Sequence, residues 1–595
     1  MIIREINKGE NVLFEPEDSR ERKYLEAFPG LLREGLHFFS PGKPRIIQNL
    51  YARISKYIKP ANIRYTPLVQ DMLKSYSSLT SLPSEFSFHT PPLPHQLQAL
   101  EFLYTQGSAG LLLDPGLGKT KVILDYIYLK GFKKSLIICP KPLLYVWKEE
   151  VAKHRPELSV YCIQTTDWES EGEEIAKADV VVTNYSKAVI LLENLQRIKL
   201  DFLGLDEGLI KDYTTDRTIA ITKLGRGVPH KCVMSGTLVN NSPLDCFAPV
   251  RFIEPAVIGE GVTRFKARYA ITAKQNQHIL IGFRDTPEIQ SIIASCCIVM
   301  RKAEWLKYLP AKVFHTEKVH ISGDAAECYN NLVSNWMFSH EGFDFEFDNP
   351  LPRASKLIQI ANGFVYHLEK KDEEGEDDET DELTEIEGGE PKKVAKTKAK
   401  GKNKPVRTTL FFQDQPKINA LHEVITNPEK LDNRRAILWF NFQAELEIIE
   451  KYLKKSGYTY LVVKGGDKEI GDKIHKFNTD PSIRFLVGQA KTINYGATIL
   501  GKQKGSGSRK DDEDLQVTEF SESISDEIFY SLNFSLEVFL QQQDRIHRIG
   551  QQKVCHYWML VTNSCIETKI CKAIETKMSI SRALLIDFSK ELQLV

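Results

Sequence analysis

Five short, almost unbroken apolar runs constrain the fold of this chain more than any other feature. GLLLD (Gly110 to Asp114), SLIICP (Ser135 to Pro140), DVVVTNY (Asp179 to Tyr185), FLGLDE (Phe202 to Glu207) and KCVMSGT (Lys231 to Thr237) lie between Thr90 and Arg301, each followed by polar or helical sequence. A strand that is apolar on both sides must be covered on both sides, and a helix between strands returns the chain parallel to itself. The runs therefore predict a parallel sheet with helices on both faces. The rhythm returns after Thr408 in AILWFNF (Ala436 to Phe442), YTYLVV (Tyr458 to Val463), RFLVGQ (Arg484 to Gln489) and EIFYSLNF (Glu527 to Phe534). The fold class is α/β, with two tandem lobes of ordinary domain size.

The rest is assigned around these lobes. Residues 1–89 mix helix and strand patterns and read as a small N-terminal accessory domain. The first lobe occupies 90–301, and 302–371 is expected to be a helical inter-lobe region. Within 372–407, Glu373 to Glu390 is almost wholly acidic and Lys392 to Lys404 is lysine-rich. Neither block can bury enough apolar surface to fold alone, so a disordered insertion is expected. It reads as a solvated linker whose halves attract each other, with a DNA-holding or localisation role as the alternative. The second lobe occupies 408–595 and carries a Gly-, Ser- and Asp-rich surface insertion over 501–526.

An apolar content of 42% with 27% charged residues is that of a globular protein. The formal net charge of zero neither supports nor excludes nucleic acid, which needs positive charge only where phosphates lie. The ten cysteines include no C-x-x-C pair, which argues against zinc and a secreted disulfide framework. The opening MIIREINKGENVLF has no apolar core of a secretory leader, and no run approaches the roughly 20 apolar residues of a membrane helix. A cytoplasmic protein without membrane contact is expected.

Candidate chemistry begins at DPGLGKT, Asp114 to Thr120, between a predicted strand and the helical KVILDYIYL. Around Gly116, Leu117 and Gly118 the backbone N–H groups converge on phosphate oxygens at the positive end of the next helix. Lys119 reaches the β- and γ-phosphates, and Thr120 offers a hydroxyl to Mg²⁺. An ordinary strand–helix turn is the alternative. FLGLDE ends in Asp206, placed to hold Mg²⁺, and Glu207, placed to polarise the attacking water. Alone, such a pair is more often a solvated strand end. Gln96, in PLPHQLQAL, has an amide suited to the edge of adenine, or simply to solvent. In QQQDRIHRIGQQ (Gln541 to Gln552), Arg545 and Arg548 stand three apart on a predicted helix and point to one side. Two guanidiniums there can neutralise a transferring γ-phosphoryl group, the alternative being an exposed basic face.

The order PHQLQAL, DPGLGKT, IICPKPLLYVWKEEVAKH, TNY, DEGLIKD, MSGTLVNNSPLDCFAPVRFIEP, then QPKINALHEVI, GQAKTINYGATIL and QQQDRIHRIGQQ resembles the Swi/Snf-type ATPases of helicase superfamily two. The resemblance runs from about Pro91 to Leu585 outside the two insertions, and is similar in style to compact bacterial and bacteriophage members. It implies two RecA-like lobes, with TNSCIETKICKAIETK as a C-terminal bracing helix. It implies ATP and Mg²⁺ as cofactors, bound by lobe one and completed by Arg545 and Arg548 from lobe two, with Gln541 beside them. It implies DNA-backbone contacts at Pro140, Lys141, Thr183 and Asn184, and a grip on the tracked strand at Thr492 and Gly496. Ser235, Gly236, Thr237 and Gln541 would couple nucleotide state to lobe movement. Leu209 stands where many relatives carry histidine, which puts the tightness of that coupling in question. Leu113 and Pro115 make the phosphate loop irregular.

The leading expectation is a DNA-stimulated ATPase that translocates on double-stranded or branched DNA. A strand-separating helicase is the second reading. The third is an ATP-dependent module that recruits a protein partner through the N-terminal region or the charged insertion.

Overall fold

The computed structural model describes residues 82–210 throughout and, with short gaps, 212–368, 407–501 and 523–575, together with parts of 1–70. The expected charged insertion, apart from Arg407, and most of the 501–526 insertion lie outside the described residues. The chain divides into two compact units, Met1–Lys307 and Tyr308–Met578.

In the first unit a seven-stranded sheet runs, edge to edge, Cys297–Met300, Ala109–Leu113, His230–Ser235, Phe202–Asp206, Ser135–Cys139, Val180–Asn184 and Val160–Cys162. Every neighbouring pair is parallel. All five expected strands are present. The strand Cys297–Met300 follows the apolar helix Thr286–Cys296 without a break, so no change of period marks where one ends and the other begins. Four of the five expected strands are buried along their whole length, which is why they read as apolar runs rather than alternating ones. Such a sheet can offer functional groups only at its strand ends, and ligands of open α/β sheets lie beyond the carboxyl ends. Here Ala109–Leu113, His230–Ser235 and Phe202–Asp206 are neighbours, so the three segments that follow them emerge together.

The helix Lys119–Lys130 packs Val122, Ile123, Tyr126 and Ile127 into the core and ends at Gly131, whose left-handed φ of 63° returns its N–H to the last carbonyls. On its flank lies a buried ion cluster. Asp125 pairs with Lys121 at 2.7 Å and with Arg155 at 2.7 Å. Arg155 also stacks on Phe86 and Tyr128 and donates to the Ser87 carbonyl, tying the 82–90 segment to the lobe. Farther upstream, described parts of the N-terminal region form a five-stranded sheet in the order Leu32–Glu34, His37–Pro41, Asn11–Glu15, Ile2–Ile6, Arg64–Tyr65.

In the second unit a six-stranded, all-parallel sheet runs Lys312–Val319, Cys555–Thr562, Asp526–Phe529, Ala436–Phe440, Phe485–Gln489, Tyr460–Val463. The region 302–371, expected to be helical, is mixed. It holds the helices Gly323–Asn335 and Pro350–Ala361, but also the edge strand Lys312–Val319 and the hairpin Met337–His340 with Phe343–Glu346. KVFHTEKV is half-exposed along most of an edge, so it lacks the apolar run that marks a central strand. Phe364–Leu368 pairs antiparallel with Arg407–Phe411, bringing Leu368 opposite Arg407, so the charged insertion leaves and re-enters at one point.

Residues 566–572 are helical and bury Ile566 and Ile570, with Ile574 beyond. Glu567 on this helix pairs with buried Lys417 at 2.6 Å. Nearby, buried Glu445 accepts from the N–H groups of Asn441 and Phe442 and from the Ser531 hydroxyl. Burial nevertheless pushes its carboxyl up to about 7. A carboxyl raised in the folded state binds its proton more tightly there than in the unfolded chain. Its contribution to stability is therefore full below the ordinary value near 4.5 and is lost as pH rises through about 7. Glu445→Gln removes that dependence: relative to wild type, the variant should be more stable at pH 8 than at pH 5, by on the order of a few kcal/mol. Thermal melts at the two pH values check this, and an identical offset at both refutes it.

Candidate active site

The first-unit phosphate loop is built from conformations that only glycine takes easily. Gly116 and Gly118 have φ of 88° and 80°. A Cβ on Gly118 would lie 2.2 Å from the Gln96 amide nitrogen, so a side chain there would displace that amide on a backbone already strained for anything but glycine. The loop is braced from the Pro94–Gln106 helix. Leu117 O accepts from His95 Nε2 at 2.9 Å and from Gln96 Nε2 at 3.2 Å, and Gln96 Oε1 accepts from Leu93 N–H at 3.0 Å. Burial lowers the His95 pKa, which favours the neutral ring that donates here. Both ends of the Gln96 amide are thus engaged within the chain.

The helix after the loop begins with no side-chain cap and no acidic residue in its first turn, leaving N–H groups and the positive end of the dipole for an anion. Lys119 is buried and donates to the Leu113 carbonyl at 2.9 Å. An ammonium has three donors, and among the described residues no second acceptor meets this one. Thr120, half-buried, follows it.

Asp206 ends its strand buried, its Oδ2 accepting from Trp147 Nε1 at 2.8 Å. Burial raises its pKa, while the Trp147 hydrogen bond and the Lys119 charge pull it down. Tyr185 Oη donates to Asp206 O at 2.9 Å and accepts from Leu209 N–H at 3.4 Å. That hydroxyl pins the turn where the expected histidine is missing. Glu207 sits at φ 59°, rare for a side-chain-bearing residue, and Gly208 follows at 46°, so the chain turns sharply just past the strand. A basic helix end, a buried ammonium and a buried carboxylate fit a magnesium nucleotide: the loop N–H groups and Lys119 would hold phosphate, Thr120 and Asp206 the cation.

Ser235 is buried at the end of the intervening strand, and a Cβ on Gly236 would lie 3.2 Å from Pro115 of the phosphate loop. Thr237 and Gly496 lie outside the described residues. Lys141 is exposed beyond the strand Ser135–Cys139, next to buried Pro140. Thr183 is buried, and Asn184 caps the helix Tyr185–Ile190 through Lys187 N–H. In the second unit Thr492 Oγ1 reaches Gln489 at 3.3 Å.

The helix expected to carry both arginines stops earlier. Leu536–Gln543 is helical, and 544–548 is a turn and bend. Asp544, Arg545, Ile546 and His547 are all buried, and a run of four buried residues does not suit one face of a 3.6-residue period. Arg545 Nε donates to Gln541 O at 2.8 Å, and Arg548 Nε to Asp544 O at 2.7 Å. Lys312 at 3.3 Å from Asp544, and the Pro310 carbonyl on His547, hold the turn from the neighbouring strand's start. Gln541 is buried, with Nε2 3.4 Å from Glu537.

Sequence reasoning missed Trp147, Tyr185, His95 and Arg301. Trp147 carried a signal: an aromatic N–H on the buried side of YVWKEEV needs an acceptor.

Residues 95–377 match the family profile of the SNF2-related domain. The chain is 24% identical over 532 residues to the TATA-binding protein-associated factor mot1 of Schizosaccharomyces pombe, covering 81% of this chain and 26% of that protein. It is 23% identical over 539 residues to the DNA repair and recombination protein RAD54B of Homo sapiens, covering 84% of this chain and 55% of that protein. It thus spans about a quarter to just over half of these relatives' length. The Sulfolobus solfataricus SWI2/SNF2 ATPase core in complex with dsDNA aligns at 19% identity and a TM-score of 0.37, over 85% of this chain and 94% of that one. The phosphate loop, the Asp206–Glu207 strand end and the Ser235–Gly236 turn all lie inside the span that matches the SNF2-related domain.

Proposed function

We propose that this chain is a Swi/Snf-type, DNA-stimulated ATPase that translocates on double-stranded DNA and remodels branched or protein-bound DNA. The observation that carries the reading is buried Lys119, on the helix start that follows the strand Ala109–Leu113, and buried Asp206 at the end of Phe202–Asp206, two strands along in the same sheet, with that helix start uncapped. The bound magnesium nucleotide supplies the phosphoryl group and the cation that neutralises it. Lys119 and the loop N–H groups fix the phosphates. Asp206 and Thr120 hold the cation in place, and Glu207 orients the attacking water. Arg545 and Arg548 have the chemistry to neutralise negative charge on a transferring phosphoryl group. Ser235, Gly236 and Thr237 pass the change to the rest of the lobe. Lys141 and Thr492 are the exposed and half-exposed residues of the DNA set. A duplex substrate is favoured by the motifs shared with this family and by relatives named for DNA repair and TATA-binding protein.

Lys119→Ala should lower ATP turnover about a hundredfold or more; turnover at the wild-type rate would remove the site assignment. Turnover measured with no DNA, single strands, duplex and forks should rise most with duplex or fork. Equal rates in all four overturn the motor, and strand displacement from a fork without triplex displacement points to a helicase instead. Trp147→Phe removes a donor that favours the charged form of Asp206. The Asp206 pKa should rise further, so the acid limb of the ATP-turnover profile should move to higher pH. An unmoved limb would show that Asp206 ionisation does not control the reaction.

A further inference from the structure

The last segment of the first unit is fastened to the phosphate loop from below. Asp114, the first residue of the loop, accepts from Arg301 Nη1 at 2.8 Å and from Lys302 N–H at 3.0 Å, one at each carboxylate oxygen. Its own N–H donates to Met300 O at 3.1 Å, and its carbonyl accepts from Leu117 N–H at 3.2 Å. Arg301 Nη1 also stands 3.5 Å from Gly236 O, a long contact, on the turn that touches Pro115. Arg301 then caps the short helix Lys302–Trp305, which brings the Trp305 ring to 5.9 Å from that of His95, the residue that holds Leu117 O.

Two physical consequences follow. An unpaired aspartate at the mouth of an anion site repels the anion, and the guanidinium removes that repulsion. One side chain also joins the phosphate loop to the Ser235–Gly236 turn, on a segment that runs on at Lys307 into the second unit.

We propose that Arg301 is a positioning residue for the nucleotide chemistry, holding the Asp114 end of the phosphate loop and the Gly236 turn in one geometry with the 301–307 segment. The proposal rests on reading residues 114–120 as a nucleotide phosphate loop. Neither Arg301 nor Asp114 would touch the reacting atoms; misplacement of the groups that do should appear in turnover more than in binding.

The test is steady-state ATP turnover of the full chain with duplex DNA, for Arg301→Met, Arg301→Lys, Asp114→Asn and the Arg301→Met/Asp114→Asn double variant, beside Lys119→Ala. Arg301→Met should lower kcat about tenfold while KM stays within about threefold. Arg301→Lys, which keeps the charge, should recover part of the loss. The double variant should be no worse than Arg301→Met alone, because both substitutions break one contact. Thermal melts of each variant report folding, and Arg301→Lys keeps the test open if Arg301→Met does not fold. The proposal falls if Arg301→Met keeps kcat within about twofold of wild type while Lys119→Ala is inactive, if the two substitutions multiply, or if the loss follows the unfolded fraction. A wild-type chain without ATP turnover, or an active Lys119→Ala, overturns the nucleotide-site reading and this proposal with it.

Discussion

Everything in the first unit follows from a sheet whose central strands are closed to water on both faces. Leu111, Leu112, Leu113, Leu203, Leu205, Val233 and Met234 are fully buried, and each large apolar side chain removed from water is worth about 1.5–3 kcal/mol. That packing keeps buried polar side chains near the strand ends: Ser135 opens its strand, and Thr183, Asn184, Asp206 and Ser235 are the last or next-to-last residues of theirs. Polar groups can enter only where a strand ends and the backbone turns. The strand order puts three such ends side by side, separated in sequence but adjacent in space. The site is therefore a product of topology before it is a product of particular side chains.

Putting charge at those ends has a cost that neighbouring hydrogen bonds offset. Asp206 is buried enough for its pKa to rise, yet Trp147 and Lys119 both favour its charged form. Asp125, nearly two turns into the loop helix, is buried between two cations, and removing either partner of such an arrangement leaves a charge that burial makes expensive. The phosphate loop itself is held by backbone and side-chain contacts from the Pro94–Gln106 helix below and from Met300 to Lys302 beside it. A glycine-rich loop has high conformational freedom in the unfolded chain, so such bracing is what allows it to keep one geometry.

Nine strands announced themselves as apolar runs and all nine are present; eight are interior to their parallel sheets, where burial on both faces leaves no other pattern, and Tyr460–Val463 stands at an edge. The strands that escaped notice are edge strands, a three-residue piece, one fused to the helix before it, and Cys555–Thr562. That last strand alternates buried and half-buried positions although it is interior to its sheet. For the loop and the two carboxylates, residue type and spacing carried the reading. The supporting residues were not legible, since a tryptophan, a tyrosine or an arginine distant in sequence becomes a partner only when the sheet places it. The arginine turn was misread as helix for a related reason. Period alone does not reveal that Ile546 fills the second-unit core while its neighbours on both sides are also buried.

That misreading changes how the two arginines work. On a continuing helix they would be long side chains on a solvated face, free to rotate. On the turn, each is tied at Nε to a backbone carbonyl at the end of the Leu536–Gln543 helix, where the helix dipole is negative. Arg545 is buried beside Glu527, whose carboxyl burial drives well up while the charges of Lys312 and Arg545 pull it down. A guanidinium fixed at Nε keeps the plane of its fork defined, and it has less rotamer freedom than an untethered side chain. The same turn is held by Lys312 and by the Pro310 carbonyl at the first residues of the second unit. The start of the strand Lys312–Val319 and the turn that carries the two arginines are therefore held against each other.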